Sequence, residues 1–158
     1  MVYPPQEDSF LLKEFVLKYA KGVVLDVGTG SGIQAREAAH SAKVKRVFAV
    51  DIDKAALVFA KEHSDHDRHK KITFLQSDLF STFPKNKFAH YFDTIIFNAP
   101  YLPQEGHTRH VDLEGGKFGH ETIARFMQDA RHYLKKDGII LLVYSSLTPN
   151  VEELVDKH

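Results

Sequence analysis

Short apolar segments alternate with segments of helical pattern along this chain of 158 residues. Strands are predicted at 23–27, 46–51, 72–75, 92–97 and 139–144, and helices at 11–19, 33–42, 54–62, 123–134 and 151–156. Continuous apolar runs this short are typical of strands buried on both faces, and strands separated by helices form parallel βαβ units. The sequence therefore predicts an α/β fold, with a doubly wound, mainly parallel sheet between helices.

The first helical segment is expected to cover this sheet. Within residues 1–22, apolar side chains recur at helical spacing at Leu11, Leu12, Phe15, Val16 and Tyr19. At the other end of the chain, Asp137-Gly138 is predicted to turn between the last long helix and the fifth strand. One domain, 1–158, accounts for a chain of this length.

Composition excludes several classes of function. The chain has 21 lysine and arginine residues together and 21 aspartate and glutamate residues together. Its formal net charge is therefore zero and does not attract it to a polyanion. The absence of cysteine excludes a disulfide framework and a thiolate metal cluster. No apolar run approaches the roughly 20 residues that span a bilayer, and the chain opens without a cleavable leader. A cytoplasmic protein without membrane contact is expected.

A glycine-rich turn follows the first predicted strand. Gly28, Gly30 and Gly32 let the backbone adopt positive φ and approach a ligand closely, at the point where a helix begins. The G-x-G-x-G spacing differs by one residue from the dinucleotide fingerprint G-x-G-x-x-G, which weakens an interpretation as an NAD site. Taken alone, these glycines are better explained by a structural turn.

Acidic residues at the ends of the next two strands indicate that the glycine turn is part of a binding site. Asp51 follows the turn by about twenty residues, where an acid accepts hydrogen bonds from both hydroxyls of a ribose. Ile52 can lie on one face of an adenine ring, and Asp78-Leu79 can meet its exocyclic amine. Each acid alone could simply cap a helix or turn. Their joint βαβ register favours a nucleoside site.

The tetrapeptide Asn98-Ala99-Pro100-Tyr101 stands where the fourth strand should end. Asn98 offers an amide oxygen, Ala99 a backbone carbonyl and Tyr101 a flat ring, so one turn can hold a planar NH₂ group. This is the predicted catalytic turn.

Histidines suggest a metal at first sight. His63, His66 and His69 lie in a polar connection, and His107 and His110 follow the predicted catalytic turn. The first group is interpreted as a solvated loop and the second as a candidate for substrate contact, so no metal site is predicted.

The motif 26–32, with Asp51 and Asp78, resembles that of class I S-adenosylmethionine-dependent methyltransferases, which share a Rossmann-like fold. Residues 98–101 are similar to the Asn-Pro-Pro-Tyr signature of enzymes that methylate planar nitrogens: glutamine amides, adenine N6, cytosine N4 and guanine N2. Residues 2–12 and 113–119 resemble segments of the eukaryotic and archaeal branch of the release factor glutamine methyltransferases (HemK/PrmC-like). The resemblance covers nearly the whole chain.

The resemblance implies S-adenosyl-L-methionine as cofactor, released as S-adenosyl-L-homocysteine. It implies that Ser9, together with Glu7 and Asp8, contacts the methionine part of the cofactor, and that Asp26 binds its amino group through the glycine turn. The implied substrate is a glutamine of a translation release factor, and the implied partner is a small zinc-ribbon activator at the free edge of the third strand.

Two alternatives stay open. One is methylation of nucleic-acid amino groups, such as adenine N6 or guanine N2, for which no basic groove is visible in the sequence. The other is a cofactor-binding module of weak activity. It is suggested by Ala99, which replaces the usual proline, and by a chain that ends before the family's final antiparallel hairpin, so the sheet is expected to be shortened, with an open edge.

Overall fold

A computed structural model describes residues 5–65, 70–99, 120–145, 148 and 150–157. The strands are β1 (Gly22–Val27), β2 (Val44–Asp51), β3 (Ile72–Gln76), β4 (Phe92–Asn98) and β5 (Leu134–Val143). The helices are α1 (Glu7–Tyr19), α2 (Ile33–His40), α3 (Lys54–Glu62), α4 (Lys85–Phe88), α5 (Glu121–Tyr133) and α6 (Val151–Asp156). The short α4 was not expected from the sequence. None of the helices in these ranges is long and apolar enough to cross a membrane.

The five strands form one parallel sheet in the order β3-β2-β1-β4-β5. The predicted α/β fold with a doubly wound, parallel sheet is therefore confirmed. Chain order runs outwards from β1 to β3, then crosses back to β4 beside β1. Because all strands are parallel, the carboxyl ends of β1, β2, β3 and β4 meet at one edge, with a crevice where the order reverses between β1 and β4.

Each face of the sheet carries its own hydrophobic core. On one face, α1 and α2 pack on the strands through a cluster that includes Leu12, Val16 and Ala35. On the other, α5 packs through an aromatic cluster in which Phe126 lies 4.6 Å from Phe97 between ring centroids. The strands are buried from both sides, which explains why they are continuous apolar runs rather than alternating ones.

The first helix differs from its prediction in the width of its buried face. Leu12 and Val16 are buried, but Leu11, Phe15 and Tyr19 are 53%, 46% and 42% exposed. The expected five-residue stripe was wrong for these three residues. Helical spacing marks apolar residues on one side of the helix, whereas the neighbouring α2 and sheet reach only a narrow strip of it.

The last strand also differs from its prediction. β5 begins at Leu134, immediately after α5, and the expected turn at Asp137-Gly138 lies inside the strand. There the pairing with β4 shifts register, from Phe92 opposite Leu134 to Thr94 opposite Ile139. The extra residues form a bulge, which uses a turn-like sequence without ending the strand. In the described residues, no strand pairs with the outer side of β5.

Candidate functional site

A cavity of about 330 Å³ lies at the carboxyl edge of the sheet, where loops after β1, β2, β3 and β4 meet the first turn of α1. Sheets of this type bind ligands at this crevice because loops from both halves converge there. Of the residues predicted to bind a cofactor, those that line the cavity are Ser9, Gly28, Gly30, Asp51, Ile52, Asp78, Leu79 and Asn98. The structure thus brings together residues from five separate segments of the chain.

The glycine turn forms one wall of this cavity with left-handed backbone. Gly28 and Gly30 have φ of 63° and 52°, and Gly30 faces the cavity with only backbone nearby. Gly32, in contrast, has a role in helix packing. It caps the start of α2 with φ of 78°, and a Cβ there would lie 2.8 Å from that of Ala60. Gly32 therefore serves helix packing and does not line the cavity.

Asp51 at the end of β2 is held from two sides. Its Oδ2 accepts from the Gly30 N–H at 2.9 Å, and its Oδ1 accepts from the Asp53 N–H at 2.9 Å. The carboxylate is thereby fixed against the glycine turn at the cavity wall. Capping of α3 is performed by Asp53, whose side chain accepts from the Ala55 N–H. The capping alternative for Asp51 is thus not needed.

The third strand end supplies an ion pair. Asp78 Oδ2 lies 2.7 Å from Arg125 Nη2 of α5, and both side chains border the cavity. Both are about half exposed, so the pair contributes little stability and can open for a ligand. Next to it, Leu79 adopts a left-handed φ of 50° and lines the same wall. Ile52, 51% exposed, lies on the cavity wall beyond Asp51.

Asp26 lies behind the cavity wall rather than in it. It is 1% exposed, and its Oδ2 accepts from the Thr29 hydroxyl at 2.7 Å. Burial raises the pKa of Asp26 from 3.8 to about 7, against the lowering effect of the Thr29 hydrogen bond. The side chain touches the glycine turn through Thr29, a cavity residue, so any action on a ligand is indirect.

The end of β4 presents the amide of Asn98 to the first turn of α1. Its Nδ2 donates to Asp8 Oδ2 and to Ser9 Oγ, each at 3.2 Å. Its Oδ1 is shielded from solvent and has no hydrogen-bond partner among the described residues. A shielded acceptor without a partner is costly, which marks this oxygen as a site for an incoming donor.

Ala99 continues the line of β4 by one residue. It is 2% exposed, and its N–H donates to the Val143 carbonyl at 3.1 Å. A proline here would lack that N–H. In this chain a hydrogen bond to β5 therefore orients the backbone at the position where the resembled family uses a proline ring.

Several predicted residues lie outside the described residues: Pro100, Tyr101, His66, His69, His107 and His110, with residues 113–119. His63 is described, and it stacks on Phe59 at 3.9 Å while its Nδ1 contacts the carbonyl of the same residue. In the described ranges, no group of three or more side chains is placed to hold a metal ion. Glu7 is exposed and away from the cavity wall.

The sequence did not point to several residues that line the cavity, and three of these carry polar side chains on α2 and α5. Gln34 in the first turn of α2 is 3% exposed and donates from Nε2 to the Ser9 carbonyl at 2.8 Å. Thr122 and Arg125 reach the cavity from α5. The helical spacing of the apolar residues in α5 predicts that Ile123 and Phe126 are buried, and Thr122 and Arg125 lie next to them in sequence. The local sequence does not indicate that this side of α5 borders a cavity.

Comparison with known proteins identifies the family. The family model described as methyltransferase small domain matches residues 7–157. The chain belongs to that family. It is a methyltransferase domain, and S-adenosylmethionine is the methyl donor that the family and the fold imply.

Three relatives of this methyltransferase domain show how much of each protein it matches. A Methanocaldococcus jannaschii protein named for N5-glutamine methylation of proteins is 34% identical over 158 residues, covering 97% of this chain and 77% of the relative. A ribosomal protein uL3 glutamine methyltransferase of Burkholderia pseudomallei is 33% identical over 144 residues, covering 83% and 47%. A release factor glutamine methyltransferase of Rhodopirellula baltica is 33% identical over 141 residues, covering 82% and 47%. The chain thus spans about half the length of both bacterial relatives.

Solved structures agree on the fold. The ribosomal protein L11 methylase of Lactobacillus delbrueckii superimposes with a TM-score of 0.69 at 21% identity, covering 98% of this chain and 69% of that one. A methyltransferase in complex with the Haloferax volcanii Trm112 methyltransferase activator gives 0.54 at 20%, covering 80% and 48%. At these identities the likeness establishes a Rossmann-like methyltransferase fold and no more.

The cavity of this methyltransferase domain fits S-adenosylmethionine in size and in donor set. Its volume is at the lower end of the range for small-molecule sites. An acid at the end of β2 suits a ribose diol, Ile52 and Leu79 suit the faces of an adenine ring, and Asp78 suits its amine. Ser9 and Asn98 add polar side chains to the same cavity, which suits the polar methionine part.

Proposed function

We propose that this domain methylates the side-chain amide nitrogen of a glutamine in a protein, and that the protein is a translation release factor. The observation that carries the proposal is the Asn98 Oδ1 atom, a shielded acceptor without a described partner on a residue that lines the cavity. Two of the relatives above are named for glutamine methylation of a release factor and of uL3. A substrate in translation is consistent with the expected cytoplasmic location.

The chemistry follows from the poor nucleophilicity of an amide nitrogen, whose lone pair is delocalised. Asn98 Oδ1 accepts one N–H of the substrate amide, and the Ala99 carbonyl accepts the other. Both hydrogen bonds strengthen as positive charge develops on nitrogen, so they stabilise the transition state more than the bound substrate. S-adenosylmethionine, when bound, supplies an activated methyl group on a cationic sulfur. The proton left on nitrogen departs to water, so no strong base is required.

Cofactor binding is assigned to the residues of the cavity wall. Asp51 holds the ribose, Ile52 and Leu79 contact the adenine, Asp78 accepts from its amine, and Ser9 contacts the methionine part. Asp26 acts through Thr29, because the Asp26 side chain does not reach the cavity. Tyr101 is proposed to stack on the substrate amide, and Pro100 to restrict the turn before it.

A uL3 glutamine is the second candidate substrate, favoured by the Burkholderia pseudomallei relative. Methylation of nucleic acid is disfavoured by the zero formal net charge of the chain. A glutamine in either protein would use the same amide-binding turn.

The deciding experiment is transfer of labelled methyl from S-adenosylmethionine to release factor, to uL3, and to single- and double-stranded nucleic acid in parallel. Label on a release factor glutamine supports the proposal, and replacing that glutamine by glutamate should abolish it. Label on uL3 alone would show that the substrate is uL3 and not a release factor. Label on nucleic acid alone would overturn the proposal of glutamine methylation. Calorimetric cofactor binding without any transfer would indicate a weakly active module.

The role of Asn98 has its own test. Asn98→Ala should lower kcat by about 10²-fold or more, the size of effect seen when one transition-state hydrogen bond is lost, with cofactor affinity nearly unchanged. Asn86→Ala, the same change in the exposed helix α4, is the matched control. Full turnover by Asn98→Ala would show that this turn is not the active site.

The proposed activator binds the outer edge of β3, which pairs with no other strand in the part of the chain that the structure describes. A groove between α3 and β3 is lined by Leu57, Val58, Ile72 and Phe74, with lysines among its other lining residues. An open strand edge beside an apolar groove suits an added strand, and an activator complex exists for a protein of the same fold.

Val58→Asp should abolish binding of a zinc-ribbon activator measured by calorimetry. Leu17→Asp, a comparable change at a similarly exposed site on α1, should not.

A further inference from the structure

The first turn of α1 contacts the end of β4, although the two are far apart in sequence. Asn98 Nδ2 donates to Asp8 Oδ2, 90 residues away, and to Ser9 Oγ, each at 3.2 Å. The Ser9 hydroxyl itself donates to Asp8 Oδ1 at 3.4 Å. The Asn98 amide nitrogen therefore makes two hydrogen bonds to side-chain oxygen atoms of α1.

These contacts decide which end of the Asn98 amide faces the acceptor position. A carboxylate only accepts hydrogen bonds, so it attracts the NH₂ end of an amide and repels the oxygen end. Turned by 180°, Asn98 would place its Oδ1 against Asp8 and its NH₂ where a substrate amide must donate. The charge on Asp8 thus biases the amide towards the orientation in which Oδ1 accepts.

The α1 turn is itself anchored on the helix that follows the glycine turn. Gln34 Nε2 donates to the Ser9 carbonyl at 2.8 Å, and Gln34 is 3% exposed. Ser9 is 6% exposed. A buried hydrogen-bonded connection of this kind limits the movement of Ser9 relative to the cavity. The first turn of α1 is therefore placed by α2 and in turn places Asn98.

We propose that Asp8, supported by Ser9, is a positioning residue that sets the orientation of the Asn98 amide for the methyl-acceptor substrate. The inference rests on the proposed function of Asn98 as acceptor for a substrate N–H. It assigns Asp8 to Asn98, whereas the family resemblance implied contact with the methionine part of the cofactor. The inference gives a reason for the position of Asp8, an acid that lies next to the Asn98 amide and makes no contact with a basic side chain in the described contacts.

The test is whether Asp8→Asn has opposite effects in two backgrounds. In the wild type, Asp8→Asn weakens the bias on the amide and should lower kcat by roughly 3-fold to 30-fold, with little change in cofactor affinity. Asn98→Asp places two carboxylates together and should lower kcat further. In that background Asp8→Asn supplies an NH₂ that pairs with the carboxylate introduced at position 98, so it should raise kcat by at least about 3-fold. Glu14→Gln, at an exposed acid of the same helix that does not line the cavity, is the matched control and should leave kcat unchanged in both backgrounds.

A merely structural role of Asp8 gives a different pattern. Asp8→Asn would then lower activity by the same factor in both backgrounds, and this result would overturn the proposal. No effect of Asp8→Asn in the wild type would overturn it too.

A measurement without substrate separates this inference from the proposed function. The chain has three asparagines, Asn86, Asn98 and Asn150, so selective ¹⁵N labelling gives a simple side-chain spectrum. The Asn98 NH₂ protons should exchange with water more slowly than those of the exposed Asn86, and Asp8→Ala should remove the difference. If the wild type methylates no glutamine but this protection is present, the proposed function fails while the orientation stands. Unchanged protection in Asp8→Ala means that Asp8 does not hold Asn98.

Discussion

At the scale of single residues, the two acids at the end of β2 and the start of α3 differ in their hydrogen-bond partners. Asp51 is held against the glycine turn by two backbone N–H groups, whereas Asp53 caps α3. Asp51→Ala should raise the dissociation constant of S-adenosylmethionine by about 10-fold to 100-fold, since hydrogen bonds to a charged group contribute about 1.5–3 kcal/mol. The measurement is isothermal titration calorimetry.

The neighbouring acid provides the control. Asp53→Ala should leave that dissociation constant unchanged and lower the free energy of unfolding by about 1 kcal/mol through loss of the helix cap. If the two variants had equal effects on cofactor affinity, Asp51 would act only by holding the turn.

Asp26 makes stability depend on pH. Its pKa is raised to about 7 in the folded protein, above the ordinary value of 3.8. Between these values the folded state keeps a proton that the unfolded chain releases, so this contribution to stability is complete below about pH 4 and is lost as the pH rises through about 7. Urea denaturation of the wild type and of Asp26→Asn should therefore diverge between about pH 4 and about pH 7, with the wild type losing more stability as the pH rises. Parallel pH profiles would contradict the raised pKa.

At the scale of elements, the junction of β4 with β5 determines how the predicted catalytic turn begins. The Ala99 N–H donates to the Val143 carbonyl, a bond that no proline could make. Ala99→Pro, although it restores the residue common in the resembled family, should lower the free energy of unfolding by about 0.5–1.5 kcal/mol, the usual contribution of one hydrogen bond. Chemical denaturation checks it.

Amide exchange gives an independent reading of the same bond. In the wild type, the Ala99 amide should exchange as slowly as those of β4, because it is buried and bonded. An Ala99→Pro variant as stable as the wild type, or a fast Ala99 amide, would show that the bond contributes nothing.

At the scale of the whole molecule, the balance of charges predicts how strongly the rate of methyl transfer depends on salt concentration. With 21 basic and 21 acidic residues, the chain has no net field to attract nucleic acid. Methyl transfer to a protein substrate should change by less than about tenfold between 50 and 200 mM salt, whereas 6–10 phosphate contacts would cost about 10³-fold to 10⁵-fold in affinity. Initial rates across this range of salt test the prediction, and a steep loss would favour a nucleic-acid substrate.

The sequence by itself determined the parallel sheet and most of the cavity wall. Strand residues 23–27, 46–51, 72–75 and 92–97 lie within the observed strands, because continuous apolar runs are a local signal. Parallel strands then carry their carboxyl ends to one edge, which is why Gly28, Asp51 and Asp78 were expected together and line one cavity.

Only the tertiary structure decided contacts between distant segments. The contact of Asn98 with Asp8, the pairing of Asp78 with Arg125 and the exposure of Phe15 depend on which elements become neighbours and at what angle. A helical period shows which residues share a face, but how much of that face is covered depends on the partner. The raised pKa of Asp26 has the same origin, because burial is set by the packing of the whole fold around one side chain.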